Sequence, residues 1–169
     1  MNSRYKTLAA ISLIFVATVL AACQTPKPAA TPGTFAEADV AKLKWIEGTW
    51  RGTGEKQPPF FERYRIEGST MIVEGFGADA ALLKVNETSR FEMRKGRFGN
   101  IEGDSESAAS SITDTAVQFV PVRGSKNSFR FEKQNDGTWL AVIEYPANGD
   151  KPARTMIYKM EPWPLKVNN

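Results

Sequence analysis

FFERYRIEGSTMIVEGFG, residues 60–77, is a pair of aromatic and β-branched runs joined across Gly68-Ser69. Glycine accepts the positive φ that a tight hairpin demands, so a two-residue loop sets Glu67 opposite Thr70. The register then pairs Ile66 with Met71, Tyr64 with Val73 and Arg63 with Glu74. One face collects Tyr64, Ile66, Met71, Val73 and Gly75. The other sets the opposite charges of Arg63 and Glu74 across from each other, an arrangement that contributes about 0.2–1 kcal/mol. The first face therefore points inward and carries Phe60 and Glu62 with it. A carboxylate then lies inside, where burial is costly unless something pairs with it.

Outward from this hairpin the same punctuation recurs. Lys95-Gly96, Asp136-Gly137 and Asn148-Gly149 separate short runs of Phe, Tyr, Val, Ile and Thr, which reads as roughly eight to ten strands. No segment offers a crossover helix, so the sheet is antiparallel, and its length favours an up-and-down barrel closed on itself over a two-layer sandwich. With Gln134–Gly137 as a loop, Phe129 faces Val142 and Phe131 faces Leu140 as an inner patch, leaving Trp139, Ile143 and Tyr145 on the outside. On the last strand Arg154, Met156, Tyr158 and Met160 form the inward set. Residues 99–115, rich in Ser, Glu, Asp and Ala, read as a long loop. Before the strands, Phe35–Ile46 has loosely helical spacing and reads as a short helix plugging one end.

Composition removes much familiar chemistry. The 169 residues contain no histidine and one cysteine, which excludes Ser-His-Asp triads, His-ligated haem or zinc, and an intrachain disulfide. The formal charge of +3 includes Arg4 and Lys6. Both lie in a segment expected to be removed, leaving 20 basic against 19 acidic residues, a balance that argues against nucleic acid as a partner. That segment, residues 1–22, has a basic start and an uncharged apolar run from Leu8 to Ala22, the form of a secretory signal. Leu20-Ala21-Ala22-Cys23 resembles a bacterial lipobox. The resemblance implies lipidation of Cys23, cleavage before it, and attachment to a membrane by several acyl chains. Gln24 in place of aspartate implies the outer membrane, with the domain facing the periplasm. Residues 23–34 then form the lipidated cysteine and a Pro-rich tether reaching about 30 Å, and residues 35–169 form the barrel domain.

WIEGTWRGTG, residues 45–54, resembles the opening of calycin-type barrels, where a plug precedes Gly-x-Trp at the start of the first strand. Gly48 and Trp50 hold those places, and the resemblance implies that Trp50 packs across the closed end of the barrel. The longer string from Gly48 to Gly54 resembles the nitrobindin-like branch and an uncharacterised bacterial calycin-like family. Nitrobindin-like proteins hold haem through a histidine, which this chain lacks, so no cofactor is expected. In the uncharacterised family an acidic-aromatic pair lies on the second strand, where this chain has Glu62 and Tyr64. Fatty-acid-binding relatives clamp a carboxylate with Arg-x-Tyr on the last strand. Here Arg154 and Tyr158 are four apart, about 13 Å along a strand, which leaves two separate anchors or an arginine that neutralises Glu62 or Glu144.

Neither the on-strand glutamates Glu62, Glu74 and Glu144 nor the loop serines form an arrangement recognisable as catalytic. The expectation is a non-catalytic binder of a small, largely apolar ligand. Glu62 and Arg154 are its polar anchors, and Tyr64, Phe129, Phe131 and Tyr158 its packing residues. Glycines 52, 54, 75 and 77 are expected to widen the wall. The alternative is a filled barrel in an assembly lipoprotein that docks a protein partner through Trp139, Ile143 and Tyr145.

Overall fold

The computed structural model describes residues 30–164. A short helix α1 (Glu37–Val40) continues into a 3-10 turn (Ala41–Ile46) and leads into ten strands. These are β1 (Gly48–Gly54), β2 (Phe60–Glu67), β3 (Thr70–Gly77), β4 (Glu87–Arg94), β5 (Arg97–Glu102), β6 (Ser105–Ile112), β7 (Ala116–Arg123), β8 (Ser128–Lys133), β9 (Trp139–Tyr145) and β10 (Arg154–Pro162). Each pairs antiparallel with its chain neighbours, and β1 zips to β10 from Trp50↔Pro162 to Gly54↔Tyr158, so the barrel is closed. Closure leaves no exposed sheet edge.

The first hairpin has the register read from its sequence: Ile66↔Met71, Tyr64↔Val73 and Arg63↔Glu74. Gly68, Gly96, Gly137 and Gly149 all have positive φ, between 58° and 79°, which is why those turns are legible at all. Near the end of β3 the pairing slips, with Phe61 opposite Gly77 and Glu62 opposite Gly75, and Phe76 is left between them. Phe76 and Phe61 are buried yet lie apart from the barrel's interior cluster. The Arg63 guanidinium sits 5.1 Å over the Phe76 ring and Trp163 packs on Phe61 at 4.9 Å. Phe76 is thus part of an outer patch, on the face of β3 that alternation gives it with Ile72 and Glu74, opposite Met71, Val73 and Gly75.

Two readings are corrected. Residues 99–115 are mostly strand: β5 and β6 pair through Gly99↔Ala108 and Ile101↔Glu106. Their small polar residues are not a loop signature. A Cβ at Gly99 would collide with the Ser107 carbonyl, so the two strands run close together there. Ser105 and Ser107 face a hollow rather than a greasy core, and the apolar alternation that identifies strands is missing. The β8–β9 register is also one residue away from the expected one: Phe129 faces Ile143 and Phe131 faces Ala141. The loop has five residues, because Asp136 Oδ1 accepts from both the backbone N–H and the hydroxyl of Thr138, at 3.0 and 2.6 Å, and holds Thr138 inside the turn. A one-residue slip turns every side chain over. Trp139 is consequently inside and fully buried, while Ile143 and Tyr145, on the same face, are half-buried.

The interior divides along the barrel axis. At the end where β1 begins, Val40, Leu43 and Ile46 from the helical plug are buried against the inner side chains. Trp50 donates its indole N–H to the Ile46 carbonyl at 2.8 Å. The tether does not end at residue 34. The Gly33 N–H donates to the Ala109 carbonyl and that of Phe35 to the Gly96 carbonyl, both at 2.8 Å, so the chain is fastened to the barrel from Gly33 onward. The lipobox-like stretch, Cys23 and residues 24–29 of the expected tether lie outside the described residues.

Candidate functional site

The opposite end is a cup of about 500 Å³, within the usual range for a small-molecule site. Its floor and lower wall are Tyr64, Phe91, Phe129 and Phe131, and its upper wall is polar, with Glu62, Ser89, Asn100, Ser105 and Ser107. Lys126 and Asn127, on the loop after β7, border the mouth. The aromatic floor is rigid: Phe129 stacks on Phe119 at 4.7 Å, and Phe131 meets Trp139 at 5.1 Å. Below it, Trp139 contacts Trp50 and Tyr64 edge-on at 5.8 and 5.3 Å. The closed half is packed and the open half is not.

Of the residues singled out in the sequence, Glu62, Tyr64, Phe129 and Phe131 line this one cup. They come from β2 and from β8 across the barrel, so only closure brings them together. Arg154 and Tyr158 lie off it. Arg154 is exposed at the rim, stacked 4.4 Å over the Tyr145 ring, and among the described residues it pairs with neither Glu62 nor Glu144. Glu144 instead accepts from Arg130 at 2.8 Å and Ser128 at 3.1 Å on the outer face. Tyr158 packs edge-on against Phe60 at 5.3 Å and donates to Gln57 at 3.1 Å. Gly48 stands at the opposite, plugged end with a φ of 132°, next to the Trp50 indole.

The glycines do not enlarge the hollow as expected. The Phe60 ring occupies the space a Cβ at Gly52 would need, Tyr158 covers Gly54, and the Glu87 side chain lies over Gly75. Each glycine admits a neighbour's side chain.

Glu62 is satisfied by a residue on its own strand. Tyr64 donates its hydroxyl to Glu62 Oε2 at 2.6 Å, and Oε1 makes no hydrogen bond among the described residues. Burial pushes the Glu62 carboxyl above the ordinary glutamate range; the Tyr64 hydrogen bond opposes this, and the charge of Glu87 adds to it. Glu87, absent from the sequence-based site, reaches the same place through the row Glu62↔Gly75↔Glu87 across three strands. Burial, then the charge and hydrogen bond of Glu62, hold the Tyr64 hydroxyl well above its ordinary range, so it is a neutral donor at every physiological pH. The result is an acceptor, fixed by a donor, at the mouth of an aromatic floor.

This arrangement has a signature in pH. A carboxyl whose folded pKa is raised contributes stability that is present below the unfolded pKa and lost as pH rises through the folded one. Glu62→Gln keeps an acceptor for Tyr64 and removes the charge. Its thermal midpoint is expected to lie a few degrees above the parent's at pH 7–8, and the two should converge as pH falls below about 4, near the ordinary glutamate pKa. Comparing the two proteins cancels the opposite contributions of Asp39, Asp79, Glu92 and Asp136, whose pKa values are lowered. A variant less stable than the parent at neutral pH would show that the carboxylate has an attractive partner.

No model of a known protein family matches the chain, and no curated protein matches it.

Proposed function

We propose that the protein binds a small amphipathic molecule without transforming it, holding the apolar part on Phe91, Phe129 and Phe131 and a hydrogen-bond donor on Glu62. The observation that supports this is the division of the interior: a filled, plugged half beneath a hollow one whose floor is aromatic and whose wall is polar. A barrel that needed only to fold would gain by filling both halves. The two groups best suited to proton transfer, Glu62 and Tyr64, are bonded to each other, which fits positioning better than catalysis. The lipobox-like Leu20–Cys23 adds the second half of the proposal. The barrel is tethered to a bacterial envelope membrane, the outer one by the residue after the cysteine, and meets its ligand in the periplasm.

The docking alternative loses the surface it relied on, because Trp139 is interior and Ile143 and Tyr145 share its face.

Native mass spectrometry of the gently extracted full chain, together with titration of the neutral fluorophore N-phenyl-1-naphthylamine, tests the cup. Ser89 is half-buried on the cup wall, so Ser89→Phe should fill the hollow and weaken probe binding at least about tenfold while shifting the thermal midpoint by only a few degrees. Undiminished probe binding in that variant would place the binding elsewhere. A clean apo mass with no probe binding would dismiss the cup as a site.

A further inference from the structure

Beside the mouth of the cup lies a second hollow, a groove of about 470 Å³. Lys126, Lys151 and Arg154 line it together with Tyr145, Pro146 and Pro152. Arg51, Arg63, Arg65, Arg90, Arg94 and Arg130 each have a carboxylate at 2.6–3.6 Å. Lys126, Lys151 and Arg154 have none among the described residues. Cations without a carboxylate partner among the described residues also stand elsewhere, Lys44, Lys56, Lys95, Arg97 and Arg123 among them. This lining, however, gathers three cations and no carboxylate, whereas the cup and the depressions beside Arg94 and Arg154 each include a glutamate. None of the acidic groups nearby lines the groove: Glu62 and Glu102 line the cup on the other side of Lys126. Glu144 is held by Arg130 and Ser128 on the outer face. Glu55 lines a separate depression on the other side of Arg154. Asp150, exposed, sits at the tip of the turn before Lys151 and does not line the groove.

The three cations stand on braced supports. Asn148 and Lys151 exchange backbone hydrogen bonds at 3.0 and 3.2 Å across a tight turn with Gly149 at a φ of 58°. The loop bearing Lys126 is tied by Ser125, which donates to Asn127 Oδ1 at 3.1 Å, and by Gly124, whose φ of 66° brings it against the Asp104 carbonyl. Arg154 lies over the Tyr145 ring at 4.4 Å, which fixes the plane of the guanidinium and leaves its edge donors available for a planar or tetrahedral oxyanion. Like charges gathered without a counter-charge repel, and an anion placed among them relieves that repulsion. Lys126 lines both the groove and the cup, so the two hollows share a wall.

We propose that the groove is the headgroup subsite of the cup. It takes the oxyanion, a phosphate or a carboxylate, of a monomeric amphiphile whose apolar part rests on Phe129 and Phe131. The apolar half of this assignment rests on the function proposed above; the oxyanion half rests on the groove alone.

Isothermal titration of the full chain with octyl phosphate, 1-octanol and octyltrimethylammonium separates the two halves. Octyl phosphate is expected to bind about tenfold or more tighter than the alcohol, with the cationic analogue weakest and the preference falling as salt is added. Arg154→Gln, and separately Lys151→Gln, should erase the preference while leaving octanol affinity unchanged; Lys126→Gln, on the wall shared with the cup, should weaken octyl phosphate binding as well. Three exposed side chains make loss of folding a minor concern, and circular dichroism checks it. Equal binding of phosphate and alcohol overturns the headgroup assignment and leaves the cup intact. So does a preference that survives both Arg154→Gln and Lys151→Gln. If no octyl compound binds but inorganic phosphate shifts the amide resonances of Tyr145 and Lys151, the cup reading fails and an amphiphile is excluded as occupant. Binding only to phosphatidylglycerol-containing vesicles, with none to monomeric octyl phosphate, overturns the proposal in favour of a lipid surface.

Discussion

Trp139→Ala is expected to remove about 3–5 kcal/mol of stability, the cost of deleting a large buried aromatic, and to lower the thermal midpoint by on the order of 10–20 °C. The total stability of a domain this size is about 5–15 kcal/mol, so this substitution alone brings the barrel close to unfolding. Trp139 is fully buried and touches four aromatic rings, those of Trp45, Trp50, Tyr64 and Phe131, with centroids 5.1–6.4 Å away. It joins the plug, the first strands and β8. Its indole N–H has no hydrogen-bond partner among the described residues, so the loss is one of packing. Trp139→Phe, which keeps much of the ring volume and removes an unsatisfied donor, should cost far less. Urea denaturation of the two variants measures both. A loss below about 0.5 kcal/mol for the alanine variant, as for an exposed position, would mean that β9 is turned over and that Leu140 and Val142 face the core.

That last contingency is the register that the sequence implies when the β8–β9 loop is taken as Gln134–Gly137. Arg130 and Glu132 mark one face of β8 as outer, and that much is legible. On β9 both faces are apolar, Trp139, Ala141 and Ile143 against Leu140 and Val142, so nothing in the strand itself selects a side. Loop length decides, and it depends on whether Thr138 hydrogen-bonds within the turn or enters the ladder. The 60–77 hairpin escapes this ambiguity because glycine at a two-residue loop fixes the register and a charge pair confirms it. Residues 97–112 defeat a sequence reading for another reason. Strand recognition relies on alternation between greasy and polar, and these strands wall a polar cup, with Gly99 pressed against Ser107. The hollow they wall erases the signal. Half of the site was legible for the complementary reason: Glu62 and Tyr64 sit two apart on a strand whose inner face was already known, while Phe129 and Phe131 are aromatic on an otherwise charged strand. Glu87 and Lys126 were not, since a residue at the end of a strand or on a loop has no periodicity to place it. Arg154 shares a face with Tyr158 in the sequence, but the strand reaches the rim before Arg154 and the side chain leaves the interior.

Phe131→Ala should couple stability to binding. Phe131 separates the cup from Trp139: it lines the hollow on one side and meets Trp139 at 5.1 Å, Phe129 at 5.7 Å and Phe119 at 6.1 Å on the other. Its deletion is expected to cost about 3–4 kcal/mol, toward the low end for a phenylalanine because one flank already borders open space. The hole joins a cavity of about 500 Å³, so the deletion deepens the cup as well as weakening the core. An apolar molecule that reaches the floor can then occupy the lost volume, as ligands do in dry engineered cavities. N-phenyl-1-naphthylamine at a hundred times its dissociation constant adds about 2.7 kcal/mol to any state that binds it. The variant should therefore melt far below the parent when empty and recover most of that deficit when the probe is present. The parent should gain less from the same probe concentration, since its cup is shallower. Differential scanning fluorimetry with an intrinsic-tryptophan readout, with and without probe, measures both differences. Equal shifts in the two proteins would mean that the probe never touches the floor, and with that the aromatic ring beneath Glu62 would be core and nothing more.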